Sequence, residues 1–513
     1  MSLLNRNHGL ALLAGLSCVF GFAPFGLFPV PVLALAVLFA LWARADTPRA
    51  AAWLGWSFGF GLFGAGIGWI YVALHDYGDM PLLLALPATL LFAAFLALFP
   101  ALAGYVQARF AAATRLRMLL AMPAAWVLIE WLRGMIFTGF PWLTLGYAHS
   151  DSPLAGYAPL LGVYGVSLAA ALSAGLLAWS YSVVGAGPAR DRANRGQGPL
   201  LPLGIVGIIW IAGALLRTVA WTQPQGEPLS VALVQGNIAQ DIKFNADTLS
   251  DTLDTYRRLA LSSDARLTVL PETALPMLRQ EVPELLTEQL REHARQNRGD
   301  ILIGAFERDH RSYYNSVFTQ GTATEQYYRK QHLVPFGEFI PLRPVLGWII
   351  NEVLNIPMGD LARGDAVQPP LEVAGQRVAA NICYEDVFGE EIIRALPQAT
   401  LLVNVTNDAW YGHSHAAAQH NQISQLRALE SGRMMLRATN TGVTSIIGAD
   451  GKVLQQLPQH RQAVLRGTAQ GYQGATPYVR WGNAAVLLLV AMMLFAAWRM
   501  RRQTIPSPLA GEG

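Results

Sequence analysis

Val378-Ala379-Ala380-Asn381-Ile382-Cys383-Tyr384-Glu385-Asp386 reads as a short buried strand that stops at a lone thiol. Two other segments end the same way, on reactive side chains. Residues 267–270 form a strand that stops at Pro271-Glu272, and 324–329 runs into Lys330. Around these three, strand and helix patterns alternate. Strands are expected at 229–234, 300–306, 314–320 and 401–405, and helices at 249–261, 283–297 and 420–437. Residues 443–447 and 452–456 form a hairpin around Asp450-Gly451. The order predicts an α/β domain over 225–478, with sheet buried under helices. Sites in such domains are built at strand ends.

Outside that stretch the composition changes. Of 513 residues, 53% are hydrophobic and 14% charged, and mean hydropathy is +0.31. A soluble domain carries ~25% charged residues, so disorder and an ordinary soluble enzyme are both excluded. A net charge of +3 leaves no nucleic-acid footprint. A bilayer core needs ~20 apolar residues per helix. Eight candidate spans are present, at 8–23, 27–42, 51–73, 81–107, 118–137, 158–184, 200–221 and 484–498. The expected organisation is therefore a membrane domain of seven transmembrane helices at 1–224, a catalytic domain at 225–478, and an eighth helix with a tail at 479–513.

Loop charge orients these spans. Arg6, Arg44 with Arg49, Arg109 with Arg115 and Arg117, Arg190 with Arg192 and Arg195, and Arg499 with Arg501 and Arg502 occupy every second loop or terminus. The short alternate loops at 23–26, 75–80 and 138–157 hold no Lys or Arg. Both termini are then cytoplasmic and the inserted domain faces outward. Arg133, Arg217 and Arg480 lie near outer ends of their spans. The first span lacks a cleavage site, and Gly15-Leu16-Ser17-Cys18 fits a lipoprotein box poorly, so Cys18 reads as an apolar helix residue.

Two cysteines, Cys18 and Cys383, cannot form a disulfide framework. An outward-facing domain with a single thiol therefore needs a reason for it. Lysine is scarce: only Lys243, Lys330 and Lys452 stand against 34 arginines. A retained lysine suggests that a compact, titratable ammonium is wanted. Taken singly, Glu272, Lys330 and Cys383 are more simply a surface Glu, a surface Lys and a core Cys.

Taken together they resemble a family. Leu270-Pro271-Glu272-Thr273-Ala274, Tyr328-Arg329-Lys330-Gln331-His332-Leu333-Val334-Pro335-Phe336-Gly337-Glu338 and Asn381-Ile382-Cys383-Tyr384-Glu385-Asp386 are similar to the Glu-Lys-Cys segments of the nitrilase superfamily. Phe339-Ile340-Pro341, Phe140-Pro141-Trp142-Leu143 and Gly21-Phe22-Ala23-Pro24-Phe25 narrow the resemblance to its apolipoprotein N-acyltransferase family, as does a nitrilase-like domain between the last two of eight spans. Two positions depart from the pattern: Phe244 follows Lys243 where Trp is common, and Leu270 replaces a Trp before Pro-Glu.

The resemblance implies a polytopic α-helical membrane protein with an inserted αββα sandwich. It implies a multi-pass inner-membrane enzyme with a periplasmic domain, acting as a monomer without cofactor or metal. A fatty acyl group passes from a phospholipid, with phosphatidylethanolamine the expected donor, through a Cys thioester. The acceptor is the α-amine of the diacylglyceryl-cysteine at an apolipoprotein N-terminus. Cys383 is the expected nucleophile, deprotonated at neutral pH with a base and a cation close by. Glu272 is the expected base and Lys330 the cation that stabilises thiolate and oxyanion. An ammonium ~4 Å from a developing charge contributes about 4 kcal/mol at an effective dielectric of ~20. Glu338, Tyr384 and Glu385 are expected to support the site, with Asn315, Trp410 and Tyr411 as weaker candidates, structural or lipid-contacting.

Other signals carry less. The glycines of 59–64 match a dinucleotide fingerprint only by letter and, with Gly68, fit helix packing instead. His413, His415 and His420 lack the spacing of a metal site. Glu130 and Arg133 are an intramembrane pair, functional or structural. Asn404-Val405-Thr406 is a glycosylation sequon inside a strand, and 346–350 is an apolar segment suited to a lipid gate or a packed turn. The rival readings are a membrane-tethered amidase or nitrilase acting on small amides, and a transporter or scaffold with an inactive domain.

Overall fold

A computed structural model describes residues 3–110, 114–185, 200–340 and 361–503. The gate expected at 346–350 lies outside these, as do Arg190, Arg192 and Arg195. The chain separates into two compact units.

The first unit, residues 1–68, 83–219 and 481–513, is helical. Among the described residues, Leu82–Phe110 and Pro153–Ser182 are long and apolar enough to cross a membrane. Pro48–Gly66 and Trp69–His75 would make a third span if counted as one, but they meet at a bend of 57°. Pro29–Ala43, Leu200–Leu216 and Ala484–Met500 are apolar and shorter. Gly55, Gly59 and Gly61 pack against the backbones of neighbouring helices, where a Cβ would strike Pro100, Ala97 and Leu12. Gly64 and Gly68 face open space, so the packing role expected for them is corrected. Glu130 Oε1 accepts the Leu145 N–H (2.8 Å), and Arg133 donates to the carbonyl oxygens of Phe140 and Trp142. Both side chains thus satisfy the backbone of the segment 140–145 that leads into a short helical turn, Leu145–His149, the structural alternative.

The second unit, residues 69–82 and 220–480, holds two sheets. Its strands are β1 (Gln223–Gln235), β2 (Leu267–Val269), β3 (Leu275–Leu278), β4 (Asp300–Asp309), β5 (Ser312–Gly321), β6 (Tyr327–Arg329) and β7 (Leu371–Val373). They continue as β8 (Gln376–Ile382), β9 (Leu401–Thr406), β10 (Met435–Thr439), β11 (Ser445–Ile447), β12 (Val453–Gln456) and β13 (Ala463–Gln473). One sheet runs β13-β1-β2-β4-β5-β6 with β3 beside β4, and the other runs β12-β11-β10-β9-β8-β7. Each is parallel at its centre, β1-β2-β4 and β8-β9-β10, and antiparallel at its edges.

Helices Ala246–Leu261 and Glu284–Gln296 bury Tyr256, Leu259, Leu286 and Leu290 against Ile301, Ile303 and Phe318 of the first sheet. Ala428 of helix Ala416–Ser431 and Ile392 pack on Leu402 and Met435 of the second. The sheets face each other, with Gly467 against Ile446 and Gly471 against Gln376, where a Cβ would not fit. The layers are helix, sheet, sheet, helix.

One expected element is corrected. The helical reading of 420–437 merges two elements. The helix ends at Ser431 with Gly432 in the left-handed region (φ +63°), and the chain then re-enters the sheet as β10. β3, β7 and β13 were not foreseen.

Candidate active site

Cys383 directly follows β8 and opens a short helical turn, Cys383–Val387. Its φ of +54° lies in the left-handed region, which costs a residue with a Cβ ~1–3 kcal/mol. The surroundings must hold it there. Asn404 Nδ2 (3.1 Å) and His420 Nε2 (3.3 Å) both reach the Cys383 main-chain oxygen.

Glu272 and Lys330 come from the other sheet, at the ends of β2 and β6. Lys330 Nζ donates to Glu272 Oε1 (3.4 Å) and to Glu338 Oε1 (2.9 Å). Asn315, on β5, donates one amide to the same two oxygens, at 2.7 Å and 3.1 Å. The second oxygen of Glu272 accepts the Asn407 N–H (2.9 Å), and that of Glu338 the Val334 N–H (2.8 Å). Glu272 is thus surrounded by donors that fix the position of its carboxylate.

Burial and the adjacent Glu272 push the Cys383 thiol above its ordinary range, and Lys330 only partly opposes them. The site therefore favours the neutral thiol before attack, and Glu272 is the carboxylate beside it able to take the proton. Burial lowers the Lys330 pKa, but Glu338 and Glu272 outweigh it and hold the ammonium above its usual value.

Lys243 was missed. It is fully buried, and its Nζ donates to the main-chain oxygen of Glu272 (3.1 Å). Burial lowers it to about 8, against the pull of Glu272 and Cys383. The scarcity of lysine that singled out Lys330 applied equally to Lys243, which lies on an irregular segment after β1 with no strand end to mark it.

The supporting residues divide. Glu385 accepts the N–H of Ile382 (2.7 Å), Gln331 (2.7 Å) and His332 (3.0 Å), and the Tyr328 hydroxyl. One carboxyl therefore ties the segment after Lys330 to the residue before Cys383. Burial pushes it up to about 7 against those donors. The Tyr384 ring packs edge-on against Phe388. Asn315, placed among the weaker candidates, bridges both carboxylates, whereas Trp410 is 42% exposed and lies outside the buried cluster. Its neighbour Tyr411 meets Trp69 edge to face at 4.7 Å. Burial and then Cys383 and Asp408 hold the Tyr411 phenol well above its usual range. Of the departing positions, Leu270 is core beneath the helices, while Phe244 is 52% exposed beside Phe306.

The three histidines go separate ways. His413 packs on His460, His415 precedes helix Ala416–Ser431, and His420 lies between Asp386 and Asp408. Among the described residues, no group of three His, Cys, Asp or Glu could hold a metal ion. Asn404 is fully buried in β9, out of reach of glycosylation.

Residues 14–176 match the model of the apolipoprotein N-acyltransferase N-terminal domain, and 230–478 that of carbon-nitrogen hydrolases. Curated relatives named apolipoprotein N-acyltransferase match along nearly the whole chain. The one from Nitrosomonas europaea is 52% identical over 96% of this chain and 98% of its own. Those from Ralstonia nicotianae and Chromobacterium violaceum are 46% and 44% identical, over 96% of this chain and 93% and 94% of theirs.

Proposed function

This chain belongs to the apolipoprotein N-acyltransferase family, and we propose that it carries a fatty acyl group from a phospholipid, through a thioester on Cys383, to the α-amine of the diacylglyceryl-cysteine that begins an apolipoprotein. The observation that supports this most is the meeting of Glu272, Lys330, Asn315 and Glu338 in one hydrogen-bonded set, with Cys383 close enough to feel the charge of the first two.

In the first half-reaction Cys383 Sγ attacks the ester carbonyl while its proton passes to Glu272. The C–S bond forms and the oxyanion develops beside Lys330 Nζ. The C–O bond then breaks, and Glu272 returns the proton to the departing lysophospholipid oxygen. In the second half the acceptor amine attacks the thioester. Glu272 takes a proton from nitrogen and delivers it to sulfur as the C–S bond breaks. Glu338 holds the Lys330 ammonium, Asn315 keeps both carboxylates in register, and Glu385 joins the lysine and cysteine segments.

The donor is phosphatidylethanolamine, and the enzyme is monomeric. It crosses a bacterial inner membrane eight times, with the catalytic domain periplasmic and both termini cytoplasmic. Lipid substrates diffuse laterally to such a site without leaving the bilayer. The rival amidase reading is not favoured, because relatives spanning the whole chain carry the acyltransferase name.

Mass spectrometry of the purified protein after incubation with phosphatidylethanolamine vesicles tests the reaction. A fatty-acyl adduct on the Cys383 peptide, absent in Cys383→Ala, is expected. An unmodified Cys383 that nonetheless releases free fatty acid or ammonia would overturn it. Labelling of introduced cysteines with an impermeant thiol reagent tests the sidedness.

A further inference from the structure

Around the main-chain oxygen of Cys383 lies a second set of charges that the reaction does not use. His420 Nε2 is 2.8 Å from Asp386 Oδ1, and Nδ1 is 2.9 Å from Asp408 Oδ1. Both ring nitrogens face carboxylate oxygens, an arrangement that favours the doubly protonated imidazolium. Arg437 closes the set, donating to Asp386 Oδ2 (3.1 Å) and Asp408 Oδ2 (3.0 Å), and also to Asn404 Oδ1 (2.6 Å). The Ser424 hydroxyl donates to Asp386. All of these residues are at most 2% exposed. Two cations face two carboxylates, and each member makes at least one hydrogen bond within the set, although Arg437 Nε is left without a partner; such a buried network restrains its surroundings.

The network touches the nucleophile at one place. Two of its members, His420 Nε2 and Asn404 Nδ2, reach the Cys383 carbonyl. In a trans peptide the carbonyl and the following N–H point in opposite directions. Holding the Cys383 oxygen therefore fixes the direction of the Tyr384 N–H, and it does so where φ is +54° and the backbone would otherwise relax.

We propose that His420 and Asn404, braced by Asp386, Asp408 and Arg437, are positioning residues that hold the Cys383–Tyr384 peptide so that the Tyr384 N–H meets the oxyanion formed during acyl transfer. This rests on the acyl-transfer reading above. Such a donor acts only when a carbonyl oxygen gains charge. Alkylation of the thiol by iodoacetamide develops no oxyanion and does not need it.

The experiment compares two rates on the full-length enzyme in phosphatidylethanolamine vesicles: formation of the Cys383 acyl adduct, and alkylation of Cys383 by iodoacetamide. His420→Gln should slow acylation about 100-fold and Asn404→Ala about 10-fold, in line with loss of an oxyanion donor, while alkylation stays within about twofold. The double variant should be little worse than His420→Gln, since both residues act through one carbonyl. Equal losses in both rates would make the network merely structural, and unchanged acylation would leave it without a role; either result overturns the proposal. Should His420→Gln fail to fold, Asn404→Ala, which leaves both carboxylates and their cations in place, decides by the same split. A wild-type enzyme that forms no adduct refutes the acyl-transfer reading itself, whereas an adduct formed equally fast by wild type and variants refutes only this inference.

Discussion

Cys383 stands between two charge clusters of the same make-up and opposite character. In front are Glu272 and Glu338 with Lys330 and Lys243. Behind are Asp386 and Asp408 with His420 and Arg437. Each sets two carboxylates against two cations. The front cluster is built from long, flexible side chains, and its Glu338 keeps 14% exposure. The rear one uses short aspartates and planar cations, with side chains at most 1% exposed. An ammonium is a rotatable point charge whose pKa moves readily, while a guanidinium is a fixed fork that stays charged. The contrast teaches a division of labour. Protons move in front of the sulfur, and geometry is held behind it.

The largest effects should come from the front. Glu272→Gln keeps the shape and removes the base, so acyl-adduct formation measured in a single turnover should fall about 10⁴-fold, the upper range for general-base catalysis. A loss under tenfold would place the base elsewhere. Lys330→Arg keeps the charge but not the point-like ammonium between Glu272 and Glu338, and about a 10²–10³-fold drop is expected. Near-normal activity would erase the distinction between a movable and a fixed cation.

Lys243→Met sharpens the same contrast through stability. The lysine is depressed from its ordinary 10.5 to about 8 by burial, so the unfolded chain binds its proton more tightly and stability rises with pH between those values. Removing the charge should stabilise the protein near pH 7, by about 1–2 kcal/mol once the unpaired Glu272 carbonyl is counted, and should slow acylation. Thermal unfolding in detergent across pH 6–10, compared with wild type, measures it. A destabilised variant with the same pH slope as wild type would refute the assignment.

Behind the sulfur the sign reverses. Burial and Arg437 work against the charged form of His420, yet Asp386 and Asp408 raise its pKa above the usual 6.5. Its stabilisation is fully present below 6.5 and is lost as pH rises through the folded value. Asp408, held below 3.8 by His420 and Arg437 in spite of burial, adds stability that is present above 3.8 and lost as pH falls through its own folded value. The stability gap between wild type and His420→Gln should therefore narrow as pH rises above neutrality, and a gap constant from pH 6 to 10 would count against a charged imidazole. The smallest effect belongs outside both clusters. Trp410→Ala, at an exposed position, should shift stability by no more than ~0.5 kcal/mol.

Much of the front cluster was legible in the chain. Glu272 and Cys383 each follow an apolar strand pattern and Lys330 follows a short polar-aromatic one, and a strand end marks a position without any knowledge of its neighbours. Glu338 and Glu385 lay within the same motifs. Lys243 carried no such mark, because it reaches the site from a segment without periodicity, whereas Asn407 follows the strand read at 401–405 and was passed over. His420 was visible only as one histidine among three in a row of polar letters, and its meaning depends on two aspartates that lie 34 and 12 residues away. The helix read through 420–437 hid the bend at Gly432 that brings Arg437 back into the sheet. Residues 69–82 group with the unit that holds the site.

Hydrophobic spacing, strand ends and residue identity are local properties, so the sequence by itself determined the helical and α/β regions and the residue types able to do acyl-transfer chemistry. Protonation state and backbone strain depend on what surrounds a group in three dimensions. Only the tertiary structure therefore decided that burial and Glu272 raise the Cys383 thiol above its ordinary range, that its backbone is strained, and that a set of charges from the turns after β8 and β9, from helix Ala416–Ser431 and from β10 adjoins it.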